Sequence, residues 1–160
     1  MNTEIRKQVI DRLKSYPELV QKRDILRYEL EHPTVVSDAE MLEAMSFLKG
    51  EGGIPLGGVS NKTLYIAMNY HDAAERVNTE ARNDLVKRLL PLENEIGRVE
   101  YYVKMLSQLE QIVIRKHYFE GIQQQEIAAE LGVTAWTVRR YRDMAVDKLT
   151  EMYAFAEGKN

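Results

Sequence analysis

Seven apolar residues, Leu85, Leu89, Leu92, Ile96, Val99, Val103 and Leu106, recur at alternating steps of four and three. A stripe with that period stays on one side of an α-helix, and three heptads of it are what two helices need to pack along a seam. Pro91 interrupts the stripe, so a kink or a helix start is expected there rather than one straight rod. The seam has two outlets. It can mediate a homodimer, or it can fold back on the apolar line Ile5, Val9, Leu13, Tyr16, Val20, Leu26 and Leu30, whose spacings of three and four also predict a helix. Spacing alone leaves both open.

Pro17 is expected to kink or divide that first helix and His32-Pro33 to end it. Ser37 is placed to cap a second helix carrying Met41, Leu42, Met45 and Leu48. Gly50 to Val59 is glycine-rich, holds Pro55 and reads as a connector. Ser60 then caps a helix with Leu64, Ala67, Ala74, Val77 and Ala81 along one side. No segment alternates in polarity or clusters β-branched residues as a strand would. The expected fold is all-α, in four parts: an N-terminal helical region at 1–49, the connector at 50–59, a long coiled-coil-like segment at 60–106 and a C-terminal module at 107–157.

The module opens with Ser107-Gln-Leu-Glu110, the S-x-x-E form of a capping box, and its first helix should run through Leu109, Ile112, Val113 and Tyr118 to Gly121. Next come "QQEIAAEL", "GVT" and "AWTVRRYRDMAVDKL", the helix, glycine turn and helix of a helix-turn-helix. Ile127, Leu131, Val133, Val138 and Tyr141 supply the apolar contacts between two short, steeply crossed helices. Ala128 is small where they cross, Gly132 permits a positive φ at the turn, and Thr134 can cap the second helix.

The stretch "LSQLEQIVIRKHYFEGIQQQEIAAELGVTAWTVRRYRDMAVDKL" resembles region 4 of bacterial sigma factors, a helical module that reads an upstream promoter element. "GGVSNKTLYIAMNY", the long helix after it and the tail "AFAEG" are similar to phage transcription regulators of the ArpU and RinA type. That resemblance implies control of late phage or prophage genes in the cytoplasm of a bacterial host cell, near the nucleoid. The aromatic-rich core-binding domain of a complete sigma factor is missing from residues 1–100, so an activator or accessory factor is expected rather than an independent initiation factor.

Val138, Tyr141, Ala145 and Leu149 should face the core, leaving Ala135, Trp136, Thr137, Arg139, Arg140 and Arg142 on the opposite face. Trp136 and Thr137 are suited to thymine methyl groups, Arg139 or Arg140 to guanine, and Arg142 to phosphate. Gln124 and Gln125 begin the preceding helix, where side chains and free amides can hold the phosphate backbone. Thr134 completes the DNA-binding set. The net charge of −3 does not oppose this, because residues 101–160 hold 8 basic and 8 acidic side chains and Val133 to Arg142 holds three arginines and no acid. A bland reading stands beside it: Trp136 buried against the N-terminal helices, and the arginines paired with Glu126, Glu130 or Asp143 as a solvated face.

Other classes are disfavoured. The chain has no cysteine, which removes disulfides and thiolate metal sites, and His32, His71 and His117 have no ligand-like spacing. "GGIPLGGVSNKT" lacks the glycine before lysine that a phosphate loop requires. Neither an enzyme, a metal, a cofactor nor a membrane span is expected. Double-stranded DNA is the expected partner, with RNA polymerase and a second copy, through Leu85 to Leu106, as further candidates. A DNA-packaging adaptor like a phage small terminase is the alternative of the same composition, distinguished by a ring stoichiometry.

Overall fold

Helical periodicity in the sequence becomes helix wherever the chain is described, over residues 3–48 and 61–159 of the computed structural model. The elements are α1 (Thr3–Glu31), α2 (Asp38–Leu48), α3 (Asn61–Lys104), α4 (Gln108–Ile114), a π-helical turn (Arg115–Phe119), α5 (Gln124–Leu131) and α6 (Ala135–Ala156). No strand occurs among the described residues, so the fold is all-α. The connector 50–59 and the cap expected at Ser60 lie outside the described residues.

The chain divides into two compact units, one of Met1–Ile25 with Leu90–Asn160 and one of Leu26–Leu89. These differ from the four consecutive parts expected, because the first half of α1 is packed into the C-terminal module. Ile5, Val9 and Leu13, one turn apart, are buried in a single cluster with Val99, Val103, Leu106, Ile114, Ala145, Val146, Leu149 and Tyr153. The second half of the heptad stripe accordingly takes the intramolecular outlet. Ile96, Val99, Val103 and Leu106 are buried within their own chain, while Leu85, Leu89 and Leu92 are half-buried. For these four buried residues a partner in the same chain costs no association entropy.

Polar contacts hold α1 in register on this unit. Arg6 pairs with Asp147 at 2.9 Å and Arg12 with Glu157 at 3.1 Å, while the Arg12 guanidinium also lies 4.5 Å from the centre of the Tyr153 ring. Tyr16 stacks on Phe119 with ring centres 3.9 Å apart, and its hydroxyl donates to Glu100. Glu100 in turn accepts from Arg115 at 2.8 Å. Burial, with the bond to Glu100, pushes the Tyr16 hydroxyl up to about 12.

Neither Pro17 nor Pro91 begins or ends a helix, contrary to a division at the first and a helix start at the second. A proline inside a helix removes one hydrogen bond and costs about 3 kcal/mol. The apolar residues buried nearby, Val9 and Leu13 in α1 and Ile96 and Val99 in α3, offset that cost. Glu31 ends α1 just before His32-Pro33, as expected.

In the second unit Ser37 begins α2 as expected, and its cap is reciprocal. The Glu40 amide donates to Ser37 Oγ at 3.2 Å and the Ser37 amide to Glu40 Oε2 at 2.9 Å. Asn78 of α3 clamps the Val36 backbone, its amide oxygen and nitrogen meeting N–H and C=O at 2.9 and 3.2 Å. Of the α3 line, Ala74 is buried, but Val77 and Ala81 are exposed, as is Leu42 of α2. The side chains of Met45, Leu48, Leu64 and Ala67 lie outside those described. Among the described residues no helix is long and apolar enough to cross a membrane.

Candidate nucleic-acid interface

The entry to the module is built on Glu110. Its Oε2 accepts from the Ser107 amide at 3.0 Å, closing the expected capping box. Its Oε1 accepts from Lys148 Nζ of α6 at 2.7 Å, and the residue is only 1% exposed. Burial alone would raise this carboxyl. The hydrogen bonds from Lys148 and from the Ser107 amide and hydroxyl outweigh burial and hold it below the ordinary carboxylate range.

The first helix does not continue as α-helix to Gly121. Glu120 N–H reaches Arg115 C=O at 3.0 Å, an i to i+5 bond, and this π turn leads to Gly121 at φ +70°. Leu109, expected on the apolar side, is exposed, and the buried pair is Val113 and Ile114. Within the π turn, Tyr118 and Phe119 both pack against the core. His117 is half-buried with its ring edge on Tyr118. Burial lowers its pKa, the backbone bond to Ile122 opposes this, and the charges of Arg142 and Lys14 add to the lowering. It is therefore neutral near pH 7 and part of the packing.

From Gln124 the helix-turn-helix follows its expected course. Gly132 adopts φ +66°, which only glycine takes without strain, and Val133 N–H closes the turn on Ala128 C=O at 3.0 Å. Thr134 caps α6, its Oγ1 accepting from the Thr137 amide at 3.2 Å. Val113, Ile127, Ala128 and Val138 form the buried centre, flanked by Ile122, Leu131 and Tyr141. Val133, expected among these contacts, is 40% exposed and holds the turn through its backbone instead. Thr134→Ala is expected to cost about 1 kcal/mol, read as a lower urea midpoint with an unchanged slope.

The expected DNA-binding residues fall into distinct environments. Ala135, Trp136, Arg139 and Arg140 are exposed on the first turns of α6. Trp136 is 67% exposed, against the reading that buries it. The Arg140 guanidinium lies 5.7 Å from the Trp136 ring centre, a stacked cation and π face. Thr137 is half-buried, its hydroxyl 2.9 Å from Thr134 Oγ1, so it belongs to the cap. Gln125 is exposed and Gln124 half-buried on the first turn of α5.

Arg142 is not presented outward. Its Nε and Nη2 donate to Asp143 Oδ1 at 3.0 and 2.7 Å, and its side chain is only 21% exposed. Asp143 Oδ2 also lies 4.0 Å from Arg139 Nε, while Glu130 pairs with Lys116 of the π turn. Of the three acids that the solvated-face reading offered as partners, Asp143 is thus the one that meets the arginines. Its signal was position, four residues after Arg139 and next to Arg142. Among the described residues no cluster of three His, Cys, Asp or Glu could hold a metal ion.

Residues 103–151, from the last turn of α3 through most of α6, match the family model for sigma-70, region 4. No curated protein and no solved structure matches the chain. The matched stretch coincides with the helix-turn-helix, whereas Ile5, Val9 and Leu13, which complete its core, lie outside the match.

Proposed function

We propose that this sigma-70 region 4 helix-turn-helix makes the protein a sequence-specific, DNA-binding transcription regulator, with the N-terminal half of α6 in the major groove. The observation that carries the reading is the exposed face of Trp136, Arg139 and Arg140 on the helix that follows the turn. This is where a helix-turn-helix meets base edges. The Trp136 ring supplies apolar contact to thymine methyl groups, and Arg140 or Arg139 donates in a bidentate pair to guanine O6 and N7. Gln124 and Gln125, with the amides at the start of α5, hold phosphate and fix the register. Control of phage or prophage late genes rests on the resemblance of "GGVSNKTLYIAMNY" and "AFAEG" to ArpU- and RinA-type regulators. RNA polymerase is the protein partner in this reading, since sigma region 4 domains bind both DNA and the polymerase.

The test is fluorescence anisotropy with labelled duplexes tiled across the DNA beside its own gene, over a salt series. The wild type is expected to bind one tile tightly with a steep salt dependence. The double change Arg139→Ala, Arg140→Ala should weaken that tile by about 10- to 100-fold, the loss of one or two base or phosphate contacts. Weak, equal binding of every tile by both proteins would sink the reading.

A further inference from the structure

The exposed face of α6 carries a carboxylate in the middle of its arginines. Positions 136, 139, 140 and 143 recur at steps of three and four, so Asp143 shares a face with Trp136, Arg139 and Arg140. The three arginines are consequently unequal. Arg140 lies over the Trp136 ring. Arg139 is at the outer limit of an ion pair with Asp143, and Arg142 is folded onto Asp143 by two N–H bonds to one oxygen. Asp143 itself stays 41% exposed at its side chain, so its charge faces whatever lies against α6.

The loose pair with exposed Arg139 contributes little to folding, and the bonds to half-buried Arg142 join neighbours in sequence on one helix, so they tie no two elements of the fold together. The effect of Asp143 on DNA would be larger. Binding to arbitrary sequence comes almost wholly from phosphates neutralised by Lys and Arg, with the salt slope growing by about 0.9 for each. A carboxylate that occupies Arg142, tugs on Arg139 and repels phosphate subtracts from that term. Base contacts made by Trp136 and Arg140 do not require the Arg142–Asp143 pair to open.

We propose that Asp143 is a specificity-determining residue, a counter-charge that withholds Arg142 and restrains Arg139 from the backbone of non-cognate DNA. The proposal rests on the DNA-binding reading above. Discrimination arises from a repulsive element placed against the wrong ligand as much as from attraction to the right one.

The experiment compares full-length wild type, Asp143→Asn, Asp143→Glu and Asp143→Asn combined with Arg142→Ala. Anisotropy is read on the preferred tile and on a scrambled duplex of equal length, from about 50 to about 200 mM salt. Asp143→Asn should bind the scrambled duplex about five-fold tighter at low salt, with a slope steeper by about one to two. The preferred tile should gain less, so the ratio between the two falls. Asp143→Glu should keep the wild-type ratio, and adding Arg142→Ala should remove about one unit of the extra slope. Unchanged scrambled affinity and slope in Asp143→Asn overturn the proposal. So does a selective loss of the preferred tile, which would make Asp143 a base reader accepting from a cytosine amino group. Failure of all four proteins to bind any duplex is a separate result that removes the DNA reading itself and this proposal with it.

Discussion

A chain that begins at Leu26 is expected to lose the cooperative fold of the helix-turn-helix, although the stretch that matches sigma-70 region 4 remains complete. Ile5, Val9 and Leu13 are each at most 2% exposed and share one cluster with residues of α3, α6 and the end of α4. Burying a side chain of that size stabilises by about 1.5–3 kcal/mol, so removing three withdraws roughly 5–9 kcal/mol. Domains of this size have only about 5–15 kcal/mol in total. Val99, Val103, Leu106 and Leu149 would also be uncovered. Circular dichroism melts and dye binding to exposed apolar surface should show a broad, low-temperature transition and a sticky, partly helical chain. If the shortened chain instead melts cooperatively within a few degrees of the full one, α1 is an appendage and not a part of the core.

Glu110→Gln is expected to be the most damaging near-isosteric change. The carboxylate is nearly inaccessible and joins the start of α4 to Lys148 of α6. Glutamine retains a carbonyl for the Ser107 amide but loses the charge-assisted bond to Lys148. Since Lys148 is half-exposed and can be rehydrated, the loss should be about 2 kcal/mol rather than more. The pH dependence gives an independent signature. Glu110 has its folded pKa depressed below the ordinary value of 4.5. Glu100 does too: burial pushes it up, but bonds from Arg115 and Tyr16 outweigh that. A depressed carboxyl contributes stability that is fully present above its unfolded pKa and is lost as pH falls through its folded one. Wild-type urea midpoints should therefore hold at neutral pH and decline below the ordinary carboxylate range. Glu110→Gln should start lower and decline less. An acid decline as steep as the wild type would assign it to other carboxylates.

The helix-turn-helix was legible because its constraints are local. Gly132, Thr134, Ala128 and the apolar set around Ile127 and Val138 lie within a few residues of one another, and each has a single geometric reason. The stripe at Ile5, Val9 and Leu13 was equally legible as a helix, but periodicity states that a face is apolar and not what covers it. The same gap left the Ile96 to Leu106 seam open between a second copy and its own chain. Pro17 and Pro91 carry the local signal of helix punctuation, and packing on either side overrides a preference worth about 3 kcal/mol. The π turn carries no pattern distinct from that of an α-helix. Asp143 was legible as one of three acids that could pair with the arginines, but spacing did not choose among them; the structure selects it for Arg142 and Arg139.

The bonds from Arg6 to Asp147 and from Arg12 to Glu157 span 141 and 145 residues. During synthesis α1 leaves the ribosome well before its docking face on α6, a delay on the order of ten seconds at ordinary elongation rates. Over that interval Ile5, Val9 and Leu13 have no finished core to enter, and closing so long a loop is intrinsically slow. Chains interrupted before α6 would present an unsatisfied apolar helix to chaperones and proteases, and would carry no surface for DNA. Synthesis of α6 thus sets the moment at which the module can form.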